Sequence, residues 1–206
     1  MSSGLDPCAV RPCSYPHLLA AVQGRRSCRH YDVGRPVPRA LLDACAEAAR
    51  WAPSACNRQP WRLLIADAPE TLARLRAEAR KPGIPHPWWD QVPVFVALCA
   101  RLDLLTHRVA PLFSGLPYYL IDLGIAGEHF VLAAETLGLG TCWIGWFNAG
   151  AAKRVLGIPR SYRVVSLLAV GWPAAGAGDR RSARLSLDEI RQWNRWGAGG
   201  QGGRGG

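Results

Sequence analysis

The sequence predicts an α+β domain in which helices cover a sheet of about four strands. It has 206 residues, of which 49% are hydrophobic, enough to bury the core of one domain. Segments with apolar residues at helical spacing alternate with short apolar runs of strand length. One long segment, 117–137, is apolar on almost every side. A helix of that kind must be buried.

The predicted elements begin with a helix after Pro38, where ALLDACAEAARWA carries apolar residues at helical spacing. Proline is favourable near the start of a helix. The sequence RLLIA after Trp61 predicts a strand, and Pro69 opens a second helix that runs to Ala79. Residues 92–100, VPVFVALCA, form a continuous apolar run, which predicts another strand.

The second half of the chain begins with the long predicted helix at 117–137, which Gly138 ends. The remaining predicted elements are strands at 141–145 and 162–171 and helices capped by Asn148 and Ser186. Within the long helix, Gly124, Ala126 and Gly127 would let a second chain approach closely across a two-fold axis. We therefore expect an obligate homodimer.

The folded domain is expected to extend over residues 17–196. Residues 1–16 are broken by prolines and have no continuous apolar stretch, so they predict a loose leader without a secretory signal. Residues 197–206, GAGGQGGRGG, predict a disordered tail. No run of about 18 apolar residues is present, which predicts no transmembrane helix and no membrane partner.

Charge and cysteine content limit the possible ligands and the cellular compartment. The net charge of +10 would suit nucleic acid, but most basic residues are single arginines. The tight clusters, at 25–29 and 180–184, suit a phosphate-bearing small molecule at least as well, and nucleic-acid binding stays an alternative. Seven cysteines without C-x-x-C or zinc spacing indicate a reducing cytoplasm and no metal site.

Three segments carry candidate chemistry. Residues 25–29, RRSCR, hold three guanidinium groups and a hydroxyl, which suit bidentate phosphate contact; the alternative is a solvated basic loop. The turn at 52–61 offers Ser54, Asn57 and Gln59 to a flavin or nucleotide edge, unless it only joins a helix to a strand. The glycines of 140–145 allow close approach of a ligand, or only a bend. No catalytic triad, P-loop or metal motif accompanies them, so no catalytic residue is named.

Taken in order, these segments resemble the FMN-dependent nitroreductase family. The resemblance covers most of the chain, from about residue 20 to residue 191. Its strongest pieces are RRSCRHYD at 25–32, VPRALLDACAEAARWAPSACNRQPW at 37–61, LAAETLGLGTCWIGWF at 132–147 and LGIPRSYRVVSLLAVGWP at 156–173. The resemblance implies an α/β sandwich with a mixed, mainly antiparallel sheet. It also implies an intertwined homodimer with FMN at the interface.

The resemblance also assigns the cofactor-binding residues. Arg25 and Arg184 resemble the arginines that bind the phosphate, Arg26 and Ser27 would contact the phosphate and ribityl chain, and Arg29 matches a basic residue near the flavin pyrimidine edge. The segment that would reach the partner's flavin comprises Pro53, Ser54, Ala55 and Asn57. The strand end that would lie over the isoalloxazine comprises Trp143, Ile144 and Gly145.

Four departures from the family pattern stand out. The stretch KPGIPHPWWD at 81–90 lacks the amide side chain that meets the flavin in many members, and His86 or Asp90 would have to substitute. Trp146 replaces a second glycine and is expected to crowd the site. Ser182 stands where a basic residue is common, and 104–117 is short for a substrate lid.

The implied activity is transfer of electrons from NADH or NADPH, through FMN, to a small acceptor such as a nitroaromatic or a quinone in a ping-pong reaction. FMN is expected in place of FAD because no G-x-G-x-x-G turn follows a strand to hold a pyrophosphate. The alternatives are a relative with other flavin chemistry, namely reductive dehalogenation, flavin fragmentation or azoline oxidation, and a flavin-binding protein without turnover.

Overall fold

A four-stranded antiparallel sheet forms the centre of the computed structural model, which describes residues 15–83, 86–102, 115–176 and 182–196. The strands are β1 (Trp61–Ala66), β2 (Val94–Arg101), β3 (Gly140–Ile144) and β4 (Tyr162–Gly171). Their order in the sheet is β1-β2-β4-β3, and every neighbouring pair is antiparallel. A parallel bridge between Ser27 and Thr141 adds to the edge at β3.

Six α-helices lie within the described residues. They are α1 (Tyr15–Gly24), α2 (Arg39–Arg50), α3 (Pro69–Glu78), α4 (Tyr118–Thr136), α5 (Ala149–Val155) and α6 (Leu187–Ile190). Single 3₁₀ turns occur at Ala55–Asn57 and Trp89–Gln91. The predicted α+β fold, with helices flanking a mainly antiparallel sheet, is confirmed. None of the helices in this described part has the length and apolar character that crossing a membrane requires.

The first helix, α1, was not predicted. It begins at Tyr15, two residues inside the expected leader, and none of its side chains is fully buried. Its larger apolar residues, Tyr15, Leu18, Leu19 and Val22, do fall at helical spacing, although Tyr15, Leu18 and Val22 are 71%, 53% and 46% exposed. The other expectations for the termini, a loose leader and a disordered tail, concern residues 1–14 and 197–206, which lie outside the described residues.

The core lies on both faces of the sheet. Alternate residues of β2 point to opposite sides, so that Val96 and Leu98 pack with α2 and α4 while Phe95 and Ala97 pack with α3 and α5. Seven of the eight residues of β2 are buried. The central position of β2, between β1 and β4, explains why its sequence is a continuous apolar run without polar alternation.

Helix α4 has one buried face and one exposed face. Leu123, Ala126 and Phe130 are 1% exposed or less and pack against the sheet. Leu120 and Ile121, by contrast, are 42% and 51% exposed. The segment 117–137 thus forms the predicted helix, but the rest of its own chain covers only one face. An apolar strip on the other face stays exposed.

The small residues of α4 do not all face that strip. Ala126 is fully buried, and a Cβ added to Gly127 would lie 2.2 Å from the Trp143 ring. The prediction that Ala126 and Gly127 face a partner is therefore wrong, because both make room for the chain's own sheet. At Gly124 an added Cβ would meet no described atom within 4 Å, so Gly124 is the small residue on the open side.

We expect Gly127→Ala to lower the free energy of unfolding by about 1–3 kcal/mol, because the new methyl group must displace the Trp143 ring. Gly150→Ala is the control, since there an added Cβ approaches nothing closer than the Asn148 Oδ1 at 3.5 Å. Its effect should be neutral or slightly stabilising. Urea unfolding of both variants measures the difference, and equal midpoints would contradict this packing.

Candidate functional site

The arginine-bearing segment after α1 is attached to the edge of the sheet. The Cys28 backbone N–H donates to the Thr141 carbonyl at 2.8 Å, and Tyr31 forms a bridge with Pro173. The approach is close enough that a Cβ on Gly140 would lie 2.7 Å from the Cys28 Cβ. Glycine at position 140 therefore allows the segment to lie against β3.

Tyr31 fixes this segment from the core side. Its side chain is 3% exposed, and its hydroxyl donates to the Cys28 carbonyl at 2.8 Å. Burial raises the pKa of the Tyr31 phenol well above its ordinary value, so the hydroxyl stays protonated and keeps donating. Burial also raises the pKa values of the Cys28 and Cys142 thiols, so both remain protonated and poorly nucleophilic.

A cavity of about 530 Å³ opens beside this segment. Its lining comprises Val22, Gln23, Arg25, Arg26, Ser27, Arg29, Ser182 and Arg184. Among the described residues, the lining contributes four guanidinium groups and no carboxylate. Grouped guanidinium ions repel one another unless an anion lies between them, and phosphate accepts their paired N–H donors well. The arrangement therefore suits a phosphate group.

One carboxylate stands next to the cavity lining. Glu128 of α4 lies 3.3 Å from the Arg25 Nε, and the two side chains are 42% and 24% exposed. The ion pair offsets part of the positive charge and fixes one edge of the Arg25 guanidinium. It also links the arginine-bearing segment to the middle of α4.

The structure thus brings together five of the predicted residues: Arg25, Arg26, Ser27, Arg29 and Arg184. It does not bring Pro53, Ser54, Ala55 or Asn57 to the same lining. The turn that carries those four lies against the first turns of α4, where the Ala55 backbone N–H donates to the Asp122 Oδ1 at 3.0 Å. Their predicted role toward a partner's cofactor stays a prediction.

The turn at 53–59 has an unusual backbone. Cys56, Asn57 and Gln59 have φ values of 51°, 53° and 46°, in the left-handed region that non-glycine residues rarely adopt. Two hydrogen bonds support it: the Gln59 N–H donates to the Ser54 Oγ at 2.9 Å, and the Gln59 side chain donates to the Asn57 Oδ1 at 2.8 Å. Strained backbone that the surroundings support in this way is common at ligand contacts.

The end of β3 presents a mixed surface. Trp143 is 37% exposed and packs against Gly127, and Gly145 is exposed with open space where a side chain would be. Ile144 is 2% exposed and belongs to the core. Strand alternation turns the Ile144 side chain inward, and the predicted placement of residues 143–145 over the isoalloxazine stays a prediction. Only the backbone of Ile144 remains available.

The departures from the family pattern have structural counterparts. The Trp146 indole is held against the turn at 81–83, where its N–H donates to the Pro82 carbonyl at 3.2 Å. Asp90 accepts from Arg80 at 2.5 Å, and the His86 ring stacks on Trp89 with centroids 6.1 Å apart. Asp90 is therefore already engaged in an ion pair, whereas the His86 Nε2 is buried and has no hydrogen-bond partner among the described residues. The segment 104–117, which is short for a substrate lid, lies mostly outside the described residues.

Comparison with known proteins decides the family. The sequence profile of the nitroreductase family matches residues 22–172. The chain belongs to this family. The predicted resemblance is confirmed, and the names of the relatives support an oxidoreductase.

Two curated relatives and one solved structure illustrate the similarity. The NADH dehydrogenase of Thermus thermophilus is 30% identical over 195 residues, covering 82% of this chain and 92% of that protein. The FMN reductase [NAD(P)H] of Bacillus subtilis is 31% identical over 169 residues, covering 76% and 66%. A crystal structure of a nitroreductase family protein from Clostridium novyi NT superposes with a TM-score of 0.68 at 26% identity, covering 87% and 94%.

Relatives with other reactions also match. The iodotyrosine deiodinase of Drosophila melanogaster is 24% identical, covering 88% of this chain and 71% of that protein. The 5,6-dimethylbenzimidazole synthase of Rhodobacter capsulatus is 26% identical, covering 76% and 83%. Membership of the nitroreductase family therefore does not by itself fix the reaction.

We expect Tyr31→Phe to lower the free energy of unfolding by about 1–2 kcal/mol, because the buried Cys28 carbonyl loses a hydrogen-bond donor. Tyr162→Phe is the control, since its hydroxyl makes no hydrogen bond within the described structure. Urea unfolding followed by circular dichroism compares the two variants. Equal stabilities would show that the Tyr31 hydroxyl does not hold the arginine-bearing segment.

Proposed function

We propose that the chain is an FMN-dependent oxidoreductase that carries electrons from NADH or NADPH to a small acceptor such as a nitroaromatic or a quinone. The observation that carries the proposal is the convergence of Arg25, Arg26, Arg29 and Arg184, with Ser27, on one cavity. A terminal phosphate monoester is the part of FMN that this donor set fits. No pyrophosphate-binding glycine turn follows a strand, which favours FMN over FAD.

Each residue has a proposed task. Arg25 and Arg184 hold the phosphate, Arg26 and Ser27 contact the phosphate and the ribityl chain, and Arg29 places a positive charge near the pyrimidine edge. A cation at that edge stabilises negative charge on the cofactor.

The end of β3 would line the ring system with Trp143 and the backbone of Ile144 and Gly145. Bound FMN supplies the hydride and electron chemistry. We assign no acid, base, nucleophile or metal ligand to the chain.

A second copy of the chain completes the proposed site. Leu116, Leu120 and Ile121 are 52%, 42% and 51% exposed and form an apolar surface with the open Gly124. Separately, the segment at 185–196 exposes five apolar side chains: Leu185, Leu187, Ile190, Trp193 and Trp196. Apolar surface of this extent marks an interaction site, and a two-fold homodimer is the simplest partner.

In this dimer, Pro53, Ser54, Ala55 and Asn57 contact the partner's FMN. The location of their turn supports this role, because Asp122, which holds the turn, follows the exposed Ile121 on α4. The proposal includes no nucleic acid and no membrane partner, since the four arginines already share a concave site. We place the protein in the cytoplasm, where its free thiols would stay reduced.

A second candidate is another reaction of the same family, such as dehalogenation or flavin fragmentation. The matches to a deiodinase and to a 5,6-dimethylbenzimidazole synthase support this candidate, because both relatives are named for other reactions. A flavin-binding protein without turnover is the third possibility. All three share the cofactor site and differ in how the reduced protein is reoxidised.

The test is anaerobic stopped-flow spectroscopy of the purified yellow protein. Rapid bleaching by NADH or NADPH, followed by reoxidation with a nitroaromatic or a quinone, is the expected result. Bleaching without such reoxidation would favour the second candidate, and no bleaching would favour a carrier. Release of FAD, or a colourless protein that FMN does not reconstitute, would overturn the proposal.

We expect Arg25→Ala and Arg184→Ala each to weaken FMN binding about ten- to hundredfold, since a lost charge-assisted hydrogen bond is worth roughly 1.5–3 kcal/mol. Arg74→Ala is the matched control, because Arg74 is an exposed arginine on α3 paired with Glu78. Fluorescence titration of the apoprotein measures the three dissociation constants. Equal losses in all three variants would indicate a general charge effect and no phosphate site.

We expect Ile121→Arg to convert a dimer into monomers, because it places a charge in the apolar surface of α4. Val33→Arg is the control, since Val33 is also an exposed aliphatic residue, at 71%, but lies in the loop before α2. Sedimentation at low micromolar concentration distinguishes the states. A wild-type chain that is monomeric, yellow and fully active would contradict the two-chain site.

A further inference from the structure

Two exposed indoles flank Gly145 at the end of β3. Trp143 and Trp146 are 37% and 43% exposed, so part of each ring is open to a ligand. Gly145 between them leaves open space where a side chain would be. The proposed function places the ring system of FMN beside this backbone, so the indoles would border the position from which an acceptor is reduced.

The Trp146 indole has a defined orientation. Its N–H donates to the Pro82 carbonyl at 3.2 Å, and a Cβ added to Gly83, which has φ of 105°, would lie 3.9 Å from the ring. The Lys81 ammonium lies 4.2 Å from the ring centroid. The turn at 81–83 therefore holds both an aromatic face and a positive charge next to Gly145.

The charge of Lys81 is not neutralised by any carboxylate within the described structure. The nearby carboxylate of Asp90 forms an ion pair with Arg80. The Lys81 ammonium contacts the Trp146 ring. An indole face attracts a cation but leaves its charge and its N–H donors available. A carboxylate that approaches along the ring would therefore meet a partner.

We propose that Lys81 and Trp146 form a specificity site that selects aromatic carboxylates as acceptors over neutral aromatic compounds. This inference rests on the proposed function, because it takes the FMN ring system to lie beside Gly145. The acceptor ring packs against the edge of the indole, and its carboxylate pairs with the Lys81 ammonium, which lies over the indole face. The reducible group, on the opposite side of the acceptor ring, then points to Gly145.

The test uses two ligands that differ in charge and little in shape, 4-nitrobenzoate and 4-nitrobenzamide. Isothermal titration calorimetry of the oxidised, FMN-loaded protein gives both dissociation constants without turnover. We expect the wild type to bind the carboxylate about fivefold more tightly than the amide, as an exposed ion pair allows. Lys81→Met should abolish this preference, and Lys81→Arg should retain it.

Arg74→Met is the matched control for net charge and should leave the preference intact. Trp146→Leu should weaken the binding of both ligands, because both rings pack against the edge of the indole. Equal affinity of the wild type for the two ligands would overturn the inference. So would a preference that survives Lys81→Met or that falls equally in Arg74→Met.

These outcomes are separable from those of the proposed function. A protein that binds no flavin fails the proposed function before any ligand is titrated. A protein that binds FMN and is bleached by NADH or NADPH, but shows equal affinity for the two ligands, fails only the specificity site. In a protein that turns over, the ratio of kcat/KM for the two acceptors should follow the ratio of their affinities.

Discussion

The hydrogen bond from the Cys28 backbone to the Thr141 carbonyl, 2.8 Å long, is the contact on which the candidate site depends. It attaches the arginine-bearing segment to the edge of the sheet, and the Tyr31 hydroxyl braces the same residue from the core. Guanidinium groups repel one another, so a flexible segment would spread them apart. Fixed in this way, they are grouped before any ligand arrives, which lowers the entropy lost on binding an anion.

Helix α4 links this site to the other candidate contacts. Along one helix, Asp122 holds the turn that carries Asn57, Gly127 receives the Trp143 ring, and Glu128 pairs with Arg25. Asp122 and Glu128 are six residues apart, which corresponds to about 9 Å of helix. Helix α4 thus fixes the distances between these three contacts, while Leu120 and Ile121 on its outer face remain exposed. Cofactor binding and dimer formation are therefore proposed to depend on the same helix.

Much of the fold could be predicted because long segments have clear periodicity. Strand β4 occupies the predicted residues, and the Asn148 side chain accepts from the Ala151 N–H as a helix cap should. Helix α1 was missed although its larger apolar residues fall at helical spacing, because the segment lies across the expected boundary between leader and domain. The inward direction of the Ile144 side chain follows from strand alternation. The contact between Lys81 and the ring of Trp146 could not be predicted, since it joins two loops that no periodic pattern relates.

The central claim is that the arginine-lined cavity binds the phosphate of FMN. The most direct test compares FMN with riboflavin, which has the same ring system and ribityl chain but no phosphate, in binding to the wild-type apoprotein. The account predicts that FMN binds at least about a hundredfold more tightly, since more than one charge-assisted hydrogen bond depends on the phosphate. Equal affinity for FMN and riboflavin would contradict it.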